Sequence, residues 1–126
     1  MPRVSSAFFT VAAICGLIGM VWGSYMGSSG DHALHPAHAH LNLLGWVSLS
    51  IMGGFYALPG APAAGVLSWV NFALSSIGAI LMGALLPQVM QQKLPGQAMM
   101  ASEIPVILGM ICFLIVVITS WRRPAA

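Results

Sequence analysis

The chain has 126 residues, 59% of them apolar and 5% charged, with a formal net charge of +2. Soluble domains carry about 25% charged residues, so this sequence lacks the side chains to cover a water-facing globule, and its mean hydropathy of +0.93 points to lipid as its solvent. So small a positive charge does not suit a phosphate backbone, and nucleic acid is excluded as a partner.

At about 20 apolar residues per span, the chain has room for four membrane helices and no separate soluble domain. The first is expected at about Ala7 to Tyr25. Arg3 ahead of it allows a signal peptide as the rival reading, but the apolar stretch is long for one and no clear small-residue cleavage site follows. A retained helix is expected. The second span is expected at about Pro36 to Leu58, closed by Pro59-Gly60, and the third at about Val66 to Leu86, closed by Pro87. The fourth is expected at about Ile104 to Trp121, closed by Arg122-Arg123-Pro124. No alternating ten-residue pattern suggests a barrel, so the fold class is an all-α membrane protein, a single four-transmembrane-helix bundle over residues 1–126. Gln88 to Ser102 reads as a long connection with a short helix on the outer surface. Cys15 and Cys112 lie in different spans and read as buried apolar thiols.

Arg3, Arg122 and Arg123 flank the ends of the first and last spans. Positive charge belongs in the cytoplasm, so both termini are expected there, in what is read as a bacterial inner membrane. Trp22 and Tyr25 near one interface, and Tyr56, Trp69 and Trp121 near the other, suit aromatic belts. Trp46 lies deeper and is expected against protein or a ligand. Small residues recur four apart: Gly19, Gly23 and Gly27; Ser50 and Gly54; Ser75, Ala79 and Gly83. Such rows let helices approach closely, either inside the bundle or between copies of the chain.

All four histidines fall in the run His32-Ala-Leu-His35-Pro-Ala-His38-Ala-His40-Leu-Asn42, at the extracytoplasmic mouth of the second span. Pro36 suits a first helical turn. At roughly 100° per residue, His38 and His40 lie about 200° apart and do not chelate one ion from a regular helix. His38 shares a face with His35 and Asn42, and His40 with Leu44 and Val47. Zinc asks several ligands to converge. Haem asks for one or two axial ligands and an apolar pocket, for which Leu41, Leu43, Leu44, Trp46, Gly45, Gly53 and Gly54 are at hand.

The segment His38-Ala-His40-Leu-Asn-Leu-Leu-Gly-Trp46, followed by Gly53-Gly54-Phe-Tyr56-Ala-Leu-Pro59, resembles a haem-ligand helix of subunit I in the haem–copper oxidase and nitric oxide reductase superfamily. That resemblance covers about a fifth of the chain. It implies haem b, with the two histidines of His-x-His reaching different haems. The family's subunit resembles three four-helix units around a pseudo-threefold axis, with ligand helices second in each. A homotrimer of this chain would rebuild that shape, with haem between copies and His38 of one and His40 of the next as ligands. The family's copper-site histidines are missing, as are mid-membrane acids, so no oxidase or reductase acting alone is expected.

Three functions are therefore weighed. The first is an integral membrane b-type haem protein, for electron transfer with a redox partner or for binding a diatomic gas. Its metal ligands would be His38 and His40, and its pocket residues Asn42, His35, Trp46 and Gly45. The second is copper or zinc handling through His32, His35 and His38, with Met99 or Met100. The third is a non-catalytic membrane scaffold or assembly factor.

Overall fold

The computed structural model describes residues 1–61 and 65–121; Arg122, Arg123 and Pro124, expected to close the fourth span, lie outside the described residues, as do residues 62–64. Within them the secondary structure is helical. Helix α1 spans Arg3–Ser29. A second rod joins α2 (His35–His40), a π-helical stretch (Leu41–Ser48) and α3 (Leu49–Ala57) without a break. Helix α4 spans Val66–Met90, and α5 spans Met100–Ser120 behind a 3-10 turn at Gly96–Met99.

Three helical units are long and apolar enough to cross a membrane: Arg3–Ser29, Val66–Met90 and Gly96–Ser120. The second rod, residues 35–57, rises about 33 Å at roughly 1.5 Å per residue, close to the hydrocarbon thickness of about 30 Å. The bundle thus has four rods.

Their ends differ from the sequence expectation where a breaker is weaker than it reads. Helix α1 runs longer at both ends because nothing stops it before Gly30, whose φ of 71° closes the helix with its N–H on the Met26 carbonyl. Pro87 does not end α4. It withholds one N–H from the preceding turn, and the helix continues to Met90, where Gln91 N–H bonds the Pro87 carbonyl and Gln92 turns with φ 59°. Helix α5 starts at Met100, four residues earlier than expected. Pro105 lies inside the helix, in its second turn, where like Pro87 it withholds one N–H without ending the helix, and Glu103 lies in the first turn, favoured by the helix dipole. The connection shrinks accordingly, and the 3-10 turn within it packs on α4 and α5.

Helix α1 lies along the second rod, α4 lies along α5, and α4 also touches the rod and α1. Val4, Phe8, Ala12, Leu49, Met52, Tyr56 and Val116 form the buried core at the end opposite the histidines. Phe8 stacks on Tyr56 with centroids 5.6 Å apart, and Phe55 and Phe113 meet edge to face at 5.3 Å. Tyr56 corrects an expectation. It is no interfacial belt residue but fully buried, because its hydroxyl has a partner: Asn71 Nδ2 donates to it at 2.9 Å. Ser75 Oγ in turn donates to Asn71 Oδ1 at 3.0 Å. A buried polar group without a partner is costly, and here each of the three satisfies the next. Trp69 and Trp121 are exposed.

Of the small-residue rows, Gly19, Gly23, Ser75 and Gly83 pack within the bundle, whereas a Cβ at Gly27 would meet nothing within 4 Å. Gly109 faces Ser75 and Gly78 faces Val106 so closely that a Cβ at either glycine would overlap its neighbour. Gly83 takes Leu41. The two cysteines are free, Cys15 buried and Cys112 half-buried.

Candidate functional site: the histidine helix and its glycine seam

The approach to the rod is a turn built by polar side chains. Ser29 Oγ accepts the Asp31 N–H at 3.1 Å, and Asp31 Oδ1 accepts the Ala33 N–H at 3.0 Å. His35 N–H then bonds the His32 carbonyl, and the helix begins at His35 with Pro36 in its first turn, as the sequence implies. His32 and His35 are exposed.

Helix α1 meets the rod through glycines. Going down the rod, His38 lies over Gly23, Asn42 over Gly19 and Trp46 over Gly16, three large side chains four residues apart on three small ones. The fit is reciprocal lower down, where rod Gly45 receives Cys15 and Gly53 receives Phe8. In a regular α-helix, residues four apart drift by about 40°. A π turn, bonded i to i+5, is wider, and the π stretch from Leu41 lets Asn42 and Trp46 stay on the α1 side. Ser48 Oγ donates to the Leu43 carbonyl at 2.8 Å, five residues back, and so supports a main-chain group in that turn. The expectation of a uniform α-helix through Asn42 to Val47 is corrected by this stretch.

His38 is half-buried and points into the seam. Its Nε2 lies 2.9 Å from the Gly19 carbonyl oxygen and 3.0 Å from Asn42 Nδ2. A ring nitrogen carries either a proton or a lone pair, so it serves only one of them. The carbonyl accepts only, and Asn42 Nδ2 already has an acceptor in the His38 carbonyl at 3.1 Å. We therefore assign the proton to Nε2, donating to Gly19. Trp22 closes the outer side, edge to face with His38 at 5.8 Å, and the His35 ring stands 6.5 Å away.

His40 faces the other way and is exposed. Its Nδ1–H donates to the Pro36 carbonyl one turn back, at 2.7 Å. That bond fixes the tautomer, turning the lone pair of Nε2 outward. A carbonyl on the far nitrogen is the usual way a protein orients a metal-binding imidazole. Leu43 and Val47, three and seven positions on, are exposed apolar residues. Trp46 is 41% exposed, so its ring both fills the Gly16 notch and shows an edge outside.

The sequence thus located the histidines, their opposite faces and the His38–Asn42 pair. It read Gly19 and Gly23 as part of a helix-contact row but missed Gly16, the pairing of these glycines with the rod, and Pro36 as the group that orients His40. The four-residue spacing of His38, Asn42 and Trp46 on the rod, against glycines three and four apart on α1, was the available signal. Among the described residues no group of three or more His, Cys, Asp or Glu is placed to hold an ion. Met99 is buried and Met100 exposed.

Comparison with protein-family models, curated proteins and solved structures finds no match to the chain.

Proposed function

We propose that this chain is an integral membrane haem-binding protein of b type, with iron bound by His40 at the extracytoplasmic end of the second rod. The observation that carries the reading is the bond from His40 Nδ1–H to the Pro36 carbonyl, which leaves an exposed, fixed Nε2 on a rod that also exposes apolar Leu43 and Val47. One neutral imidazole and an apolar wall fit a haem, which needs little more from the protein. They do not fit zinc, which wants ligands that converge.

His38 has a different part in this reading. Its Nε2 is engaged inside the chain with Gly19, so it fixes the rod against α1. Bound haem supplies a one-electron couple or a coordination position for a diatomic gas. The protein holds the macrocycle, excludes water and orients the imidazole. Both termini are placed in the cytoplasm, on the strength of the basic residues at the chain ends. The exposed ligand makes a homo-oligomer part of the proposal, a trimer by the resemblance noted above, since lipid alone would cover only one side of the haem.

The test is the visible spectrum of the purified protein with haem extraction. A Soret band that His40→Ala removes supports the reading. A wild-type protein with no Soret band, before or after haem is added, overturns it.

A further inference from the structure

The rod, α4 and α5 enclose a cavity between them, with Leu44, Leu49 and Met52 on the rod side and Met110 on the α5 side. A water-sized sphere inside it can move its centre through about 20 Å³. A molecule somewhat longer than water therefore fits, and a lipid chain does not fit whole. Leu49 and Met52 are buried, whereas Met110, 49% exposed, stands at the edge that meets lipid. His40 and Leu44 are four residues apart, so the cavity lies on the His40 flank of the rod. It is roughly 6–18 Å deeper than His40 at about 1.5 Å per residue.

The lining decides what such a space holds. Ser48 and Ser75 border it, but neither offers it a proton. Ser48 Oγ donates to the Leu43 carbonyl at 2.8 Å, and Ser75 Oγ donates to Asn71 Oδ1 at 3.0 Å. The surface they leave to the cavity is almost wholly carbon. A buried water needs about two to four polar partners, so water is disfavoured here, as is any ion or hydrogen-bonding solute. A small apolar molecule is favoured. A wall with no atoms opposite it forgoes dispersion contacts, and such an occupant restores them. It also enters a space that is already open, whereas in water it must open one.

We infer that this cavity is a docking site for an uncharged diatomic gas, which dissolves in the bilayer and enters past Met110. The site itself needs no haem. Its bearing on function rests on the haem reading above: a gas docked here is held on the same side of the rod as the proposed iron. That placement favours gas binding over electron transfer for the His40 site.

Xenon tests it, as an apolar atom that occupies dry cavities and forms no bond to iron. The readout is methyl NMR of the purified protein under rising xenon pressure, with haem content determined on the same sample. The methyl signals of Leu49 and Met52 should shift and then saturate. Met26, buried near the outer end of α1, should not move. Ile107 and Ile111, exposed on α5, should shift in proportion to pressure without saturating, as contact with xenon dissolved in detergent requires. Leu44→Phe and Met110→Phe each place a ring in the cavity, and each should abolish the saturable shift. The inference is overturned if Leu49 and Met52 do not shift, if they shift without saturating, or if both variants respond as wild type does. Haem in a protein without the saturable shift leaves the haem reading standing and removes the docking site. A saturable shift in a protein that takes up no haem does the reverse.

Discussion

Gly19→Ala is the sharpest perturbation of the seam between α1 and the rod. A Cβ built at Gly19 overlaps Asn42 Oδ1 and lies 2.9 Å from Asn42 Cγ. Asn42 must then leave its place beside His38, or the helices must part. Overpacking of this kind costs about 1–3 kcal/mol. Separation also lengthens the bond from His38 Nε2 to the Gly19 carbonyl, now 2.9 Å. Interhelical hydrogen bonds in membranes contribute about 0.6 kcal/mol on average and up to about 1.7 kcal/mol. The expected loss is about 2–4 kcal/mol, or roughly 30- to 700-fold in the unfolding constant. Reversible unfolding in mixed micelles, followed by circular dichroism, measures it. Gly27→Ala is the matched control: a Cβ there meets nothing within 4 Å, and no loss but a gain of up to about 1 kcal/mol is expected, since alanine suits a helix better than glycine. If Gly19→Ala is as stable as wild type, or no worse than Gly27→Ala, the seam does not hold these helices together.

Further outcomes follow from the same contacts. Tyr56→Phe removes the acceptor of Asn71 Nδ2 in a fully buried site; a loss of about 1–3 kcal/mol is expected, and Tyr56→Phe with Asn71→Leu should recover part of it in a double-mutant cycle. Gly109→Val drives a side chain into the Ser75 main chain across α4 and α5 and should lower the thermal midpoint in detergent more than Gly54→Ala, where the nearest atom is 4.0 Å away. His38→Ala should reduce stability while haem remains bound, whereas His40→Ala should remove haem yet leave the unfolding midpoint of the haem-free protein little changed. A cysteine replacing exposed Ser28 in a chain lacking Cys15 and Cys112 should react with an impermeant maleimide from the extracytoplasmic side of oriented vesicles; labelling only from the other side would reverse the proposed orientation.

The parts of this fold that depend on composition and local periodicity were readable in the sequence. Long apolar runs gave the helices, and Pro36 gave the start of the rod. The spacing of His38, His40 and Asn42 gave opposite faces and an i+4 pair, since that geometry needs no partner helix. The parts set by contacts between distant segments were not readable. Nothing local in Leu41 to Ser48 marks a π stretch, which matches the rod's four-residue rhythm to Gly23, Gly19 and Gly16 across the seam. Pro87 reads as a stop, yet one missing donor is too small a loss to end a helix held by α5. Tyr56 reads as interfacial until Asn71 is placed beside it. A lone amide on an apolar helix must find a partner, and that was the available hint.

The most direct measurement is the reduced-minus-oxidised visible spectrum of the wild-type protein, His38→Ala and His40→Ala, purified side by side with haem content determined by extraction. The account predicts a b-type spectrum in the wild type, the same haem content in His38→Ala, and none in His40→Ala. Haem retained in His40→Ala but lost in His38→Ala would contradict it, because the nitrogen turned outward by Pro36 would then not be the ligand.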